Sequence, residues 1–204
     1  MNFTEQAWSV FDQAIADYHL TDDVNAEQKN PFQNGTLEHL LYSKNWIDTV
    51  QWHLEDIIRD ENINPTEALQ LKRRIDSSNQ KRTDLVEFID SWFLNKYKEI
   101  QPAANARINT ETPAWAVDRL SILALKVYHM QIEAERATAT AEHRANCNAK
   151  LQVLLEQKKD LMQAINTLLQ DIENGTVKIK VYKQMKMYND ESLNPVLYQN
   201  VKNG

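Results

Sequence analysis

Glycine is the residue this chain nearly does without. It has 3 glycines in 204 residues, where average usage would give roughly 14. Tight turns and bulges call on residues that accept positive φ, and helix interiors exclude glycine. A chain this poor in it, with 42% hydrophobic and 25% charged residues, is expected to fold as long helices with few turns around a real core. The expected class is all-α. It is read as an antiparallel helical bundle with a long helical or coiled-coil extension and a short β-like tail at the C-terminus.

The helices can be placed from their apolar stripes and their caps. Trp8, Phe11, Ile15 and Tyr18 recur at helical spacing, so a first helix is expected from about Thr4 to Tyr18. A polar loop through Pro31 and Gly35 follows, then a second helix from about Thr36 to Asp60. Asn64-Pro65 and Thr112-Pro113 are cap-plus-proline starts. They open a third helix, ending near Lys98, and a fourth helical region reaching Ile172. As one rod the fourth would be about 90 Å long, so a break is expected between Thr138 and Asn148. Beyond it, Leu151, Leu154, Lys158, Leu161, Ile165, Leu168 and Ile172 form a short coiled-coil-like seam that ends at Asn174-Gly175. Val177, Ile179 and Val181 then alternate with polar residues as a strand would, continuing through Lys183, Lys186 and Met187 to Asn194-Pro195. An isolated strand is unstable in water, so it needs a partner. The chain thus divides into a bundle core (1–150), a coiled-coil-like helix (151–175) and a basic tail (176–204). The tail carries a formal charge of +3 against −9 for the rest.

Several function classes drop out. With Cys147 as its one cysteine, the chain has no internal disulfide and no thiolate zinc site, which fits a reducing, cytoplasmic location. Residues 1–10 show no signal-peptide pattern, and no stretch reaches the roughly 18 apolar residues of a membrane span. A net charge of −6 argues against nucleic-acid binding, which rests on neutralising phosphates. No glycine-rich phosphate loop or nucleophile elbow is present.

What remains is a set of polar residues inside the helices. Asn45, Trp52, Asp56 and Arg59 share one face of the second helix, with His53 and Asp60 beside them. The third carries Asp76, Asn79 and Thr83 on a stripe that continues into Val86, Asp90 and Phe93, with Arg82 alongside. The fourth carries Asp118, Leu125, His129 and Arg136 along one face, with Arg119, Lys126 and Glu133 adjacent. Charges on apolar seams must be paired. One reading is a structural ion-pair lattice that fixes helix register. The sharper reading is a pocket for an anionic small molecule. Asn45, Trp52, Arg59, Asn79, Arg82, Asp118, Arg119, Lys126 and His129 would line it, and His53, Asp56 and Asp76 would orient groups or move a proton. His53 with Asp56, and His129 with Glu133, are each one turn apart and able to chelate. The Glu-x-x-His pairs of a carboxylate-bridged diiron bundle are absent, and no metal ligand or cofactor is assigned.

The strings WHLEDIIRD (52–60), IDSSNQKRTDLVEFID (75–90), DRLSILALKVYHM (118–130) and KVYKQMKMYND (180–190) resemble an uncharacterised bacterial domain-of-unknown-function family, number 4254. The resemblance implies an all-helical fold and an association with cell-surface glycan assembly, and it implies no mechanism. More locally, Leu71, Arg74, Ile75, Asp76, Asn79 and Arg82 resemble the first helix of helical chorismate mutases, which clamp a dicarboxylate with basic residues. That likeness covers about one helix and is an analogy of chemistry. The leading expectation is therefore a protein that binds, or acts on, a sugar nucleotide or phosphosugar. The alternative is a non-enzymatic scaffold that forms a homodimer through the 151–172 seam and meets a partner with its basic tail.

Overall fold

Side-chain caps start every helix of the computed structural model, which describes residues 1–183 and Leu193. Asn2 and Glu5 form a reciprocal capping box ahead of α1 (Phe3–Tyr18). Thr36 caps α2 (Leu37–Ile58). Asn64 accepts from the Thr66 and Glu67 amides, with Pro65 opening α3 (Pro65–Lys96). Thr112 and Pro113 do the same for α4 (Pro113–Glu135). Thr140 caps α5 (Ala141–Glu173). The expected boundaries hold to within about two residues for the first three helices. The long fourth region does break, but over Arg136–Thr140, at the early edge of the expected window. Thr140, inside that window, is the cap of the next helix.

The five helices among the described residues make one all-α bundle, and side-chain contacts give their directions. Gln6 meets Glu38, and the Tyr42 hydroxyl donates to Asp17 at 2.8 Å. Lys44 meets Asp118, Asn45 meets Ser121 and Trp52 meets His129. Contacts that advance in step mean that α1, α2 and α4 run the same way. α3 and α5 run against them: Arg82 reaches Asp118 while Asp90 meets Thr112, and Thr4 meets Asn166 while Trp8 lies under Lys158. Helices joined by short turns therefore run antiparallel, α2 to α3 and α4 to α5. α1 and α2 are parallel because residues 19–36 carry the chain back between them.

α5 runs unbroken through position 150 and lays its stripe inside the same chain. Ile165, Leu168, Leu169 and Ile172 are buried in the common core, and Leu151, Leu154 and Leu161 pack against it. The expected strand shortens to Val177–Lys178 (β2), which pairs in parallel with Arg107–Ile108 (β1). Gly175 makes this turn with φ of 70°, and its amide donates to the Ile172 carbonyl at 3.0 Å. The expected continuation at Lys186, Met187 and Asn194-Pro195, with the basic charge of Lys202, lies outside the described residues. Among the described residues, no helix is long and apolar enough to cross a membrane.

Candidate functional site

The residues singled out in the sequence separate into neighbouring places around α2. The first is a closed ion-pair lattice between α2, α3 and α4. Lys44, fully buried, meets Asp48 one turn on, and its Nζ lies 2.7 Å from Asp118 Oδ1. Arg82 Nε donates to Asp48 Oδ1 at 2.5 Å, and its Nη2 stands 3.5 Å from Asp118 Oδ1. Ser121 Oγ donates to Asp48 Oδ2 at 2.7 Å. Asn45 Nδ2 donates to Ser121 Oγ at 3.0 Å, and Arg82 Nη1 donates to Asn79 Oδ1 at 3.1 Å. Two cations face two carboxylates, so the lattice is neutral and each charge is satisfied within it. Burial works against the charge of Arg82, but Asp48 and Asp118 overcome it and hold its pKa above the ordinary value.

The second place is a pocket of about 280 Å³ on the solvent side of this lattice. Trp52, Asp56, Arg59, Glu55 and Gln51 from α2 line it with Arg82 from α3. Arg59 caps the C-terminus of α2, with two-thirds of its side chain exposed. Its guanidinium donates to the Glu55 carbonyl at 2.8 Å, and the Glu55 and Asp56 carboxylates stand 3.4 and 3.6 Å away. Exposed pairs of that length are weak.

The third place lies behind Trp52, whose ring stacks on His129 at 4.7 Å. His53 and His129 gather there with His19, which lies just past the end of α1. The Nε2 atoms of all three are buried without a hydrogen-bond partner. Burial, with His19 and His53 nearby, pushes the His129 pKa down to about 4; burial and His19 also lower that of His53.

Asn45, Asn79, Arg82 and Asp118 thus meet at the lattice, Trp52, Asp56 and Arg59 at the pocket, and His53 and His129 at the histidine cluster. The single connected network that would also hold Asp76 and Arg119 does not form. Asp76 pairs with Lys72 on an exposed stretch of α3, because i,i+4 spacing brings the two together there. Arg119 pairs with Glu111. With exposed Lys126, it lines a separate groove between α4 and α5. Glu133 pairs with His143 and Arg136 and stays away from His129. Arg74 turns toward Val24 and Asn25, away from Arg82.

Sequence reasoning missed Lys44, Asp48, Ser121 and His19. The first two had a signal: Leu41, Asp48 and Trp52 fall on the apolar stripe of α2, and Lys44 precedes Asp48 by one turn. His19 had none, since it sits beyond the last periodic residue of its helix.

No curated protein and no solved structure matches the chain. A family model does match, over residues 38–181, from the start of α2 through the pairing of β2. The chain therefore belongs to DUF4254, a family of proteins of unknown function.

Proposed function

We propose that this is a cytoplasmic protein that binds, or acts on, a small anionic metabolite of phosphosugar size in the pocket between α2, α3 and α4. The observation that carries the reading is the convergence of Arg59, Arg82 and Trp52 on one cavity. Arg82 is pinned from behind by Asp48 and Asn79, so its guanidinium is held in place before a ligand arrives. Arg59 can exchange weak carboxylate partners for a phosphate, which it would grip in bidentate fashion. Trp52 gives a flat apolar wall of the kind on which a sugar ring rests, and Gln51, Glu55 and Asp56 can bond hydroxyls. A volume of about 280 Å³ lies at the small end of ligand pockets, roughly 300–1,000 Å³. It therefore suits a phosphorylated monosaccharide, or that end of a sugar nucleotide. Asp56 and Glu55 are lining carboxylates available to handle a proton, and Asp76 lies outside the lining. The scaffold alternative has less support, because the seam that would carry a dimer is packed on α1 and α4.

Thermal-shift screening against phosphosugars, sugar nucleotides and dicarboxylates tests the reading, since a ligand that binds only the native state raises the melting point. Arg59→Ala should weaken a hit by about tenfold to a hundredfold, as expected for a charged hydrogen bond of about 1.5–3 kcal/mol. Its melting point without ligand should stay unchanged, because Arg59 is exposed. A hit insensitive to Arg59→Ala, or none across the panel, rejects the pocket.

A further inference from the structure

The three histidines are arranged as a unit. Their ring centroids lie 5.4, 5.5 and 5.5 Å apart, and each pair of planes is inclined by 66 to 71°. This is a near-threefold propeller built from α1's end, α2 and α4. One nitrogen of each ring lies within 4.8 Å of the other two. His19 Nδ1 lies 2.7 Å from the Ile15 carbonyl oxygen, which can only accept, so Nδ1 carries the proton and the lone pair is on Nε2. A backbone carbonyl on the far nitrogen is how metal-binding imidazoles are usually oriented.

Four of the eight partnerless buried side-chain atoms among the described residues belong to this neighbourhood. They are the Nε2 atoms of the three histidines and the hydroxyl of Tyr18, whose ring stacks on His53. Leaving a buried polar group unsatisfied destabilises the fold, so their concentration at one point calls for a common partner. With His53 and His129 in the tautomer that His19 adopts, all three Nε2 atoms are acceptors; a water molecule then donates to at most two of them, whereas a cation serves all three. Beside the neighbouring imidazoles, the side chains acting on His53 and His129 are the carboxylates of Asp56 and Asp22. Asp22 holds a left-handed backbone, φ 48°, and brings Oδ1 to 3.8 Å from His19 Nε2.

We infer that His19, His53 and His129 form a three-histidine site for one divalent metal ion of the zinc class. Ring spacing selects the coordination geometry. With zinc–nitrogen bonds of about 2.0–2.1 Å, imidazoles at tetrahedral angles have centroids about 5.2 Å apart. Square-planar binding, as for copper(II), would give two spacings of about 4.5 Å and one of about 6.4 Å. Facial octahedral binding would give three of about 4.5 Å. The tetrahedral set, and a trigonal one at about 5.5 Å, approach the observed 5.4–5.5 Å; the rings must turn about χ to bring nitrogens that lie within 4.8 Å of one another onto one ion. Three protein ligands leave a fourth position open, the arrangement of catalytic zinc sites, where bound water is made acidic.

The test uses the full chain, stripped with EDTA and titrated with Zn²⁺ alone against a chromophoric chelator. One ion per chain is expected, and Co²⁺ in its place should give the intense visible bands of a tetrahedral site. His19→Gln, His53→Gln and His129→Gln should each weaken uptake by more than about tenfold, the least that loss of even an outer-shell partner costs. His143→Gln, which removes the pairing with Cys147 and Glu133, should leave uptake unchanged. So should Arg59→Ala, which keeps this site separable from the anion pocket. Nitrogen NMR of histidine-labelled wild-type chain gives the answer even where a variant misfolds: zinc should shift the resonances of His19, His53 and His129 and leave those of His39 and His143 in place. Absence of stoichiometric uptake, or zinc shifts at His39 or His143 in place of the triad, overturns the site.

Discussion

Lys44 has no exposed surface, and it sits between Asp48 and Asp118. A fully buried lysine is tolerated there because both carboxylates pair with it. Lys44→Met should therefore cost about 3–5 kcal/mol, since it leaves two buried carboxylates to share Arg82. Denaturant midpoints at unchanged m-value would measure the loss. Lys44→Met combined with Asp118→Asn restores neutrality, so the double variant should lose less than the sum of the two single losses. Asp90 is the opposite case. Burial raises its pKa from 3.8, against hydrogen bonds from Thr112 and the Ala114 amide, and its Oδ1 has no partner. Above pH 3.8 the native state holds a proton that the unfolded chain has released, so Asp90's contribution to stability falls as pH rises through the native pKa. Asp90→Asn does not titrate. Relative to wild type it should gain stability from acid to neutral pH, and equal pH profiles for the two proteins would refute this.

At the scale of elements, helix starts were legible and one connection was not. Asn64-Pro65 and Thr112-Pro113 announce α3 and α4 by local chemistry alone, because cap hydrogen bonds and a fixed φ need no tertiary partner. The turn at Arg136–Thr140 has neither glycine nor proline, and its one signal, Thr140, is shared with ordinary helix interiors. The end of α5 is marked by Gly175, which the structure uses twice. Its φ of 70° is left-handed, and a Cβ there would come within 3.1 Å of the Gln101 carbonyl oxygen. Gly175→Ala should therefore cost about 1–2 kcal/mol for the backbone alone, and more for the contact. Loss of amide protection should be largest at Ala103 and Arg107, whose N–H groups donate to Gly175 and Thr176.

For the whole molecule, helical period reveals which residues share a face but not which faces meet. Asn45, Arg82 and Asp118 were legible as site residues because each interrupts an apolar stripe. Lys44 was passed over despite its spacing to Asp48, since buried lysines are rare enough that a helix lysine reads as solvent-facing. His19 needed the return of residues 19–36, which makes α1 parallel to α2 and brings its end beside His53. The same ambiguity governs the α5 seam, whose heptad-like spacing fits a second copy of the chain as well as it fits α1 and α4. The structure buries Ile165 to 1% exposure in the common core, with Lys158 3.7 Å from the centre of the Trp8 ring and Asn166 bonded to Thr4. A residue in that position supports the fold of one chain, so Ile165→Ala should lower stability by about 2–5 kcal/mol, as large-to-small core changes do. A dimer seam would instead make the melting point rise with protein concentration by mass action. The melting points of wild type and Ile165→Ala should therefore differ by the same amount at every concentration, each remaining constant on dilution. A wild-type melting point that falls on dilution, and an Ile165→Ala chain that stays folded but changes its sedimentation, would assign the seam to a second copy.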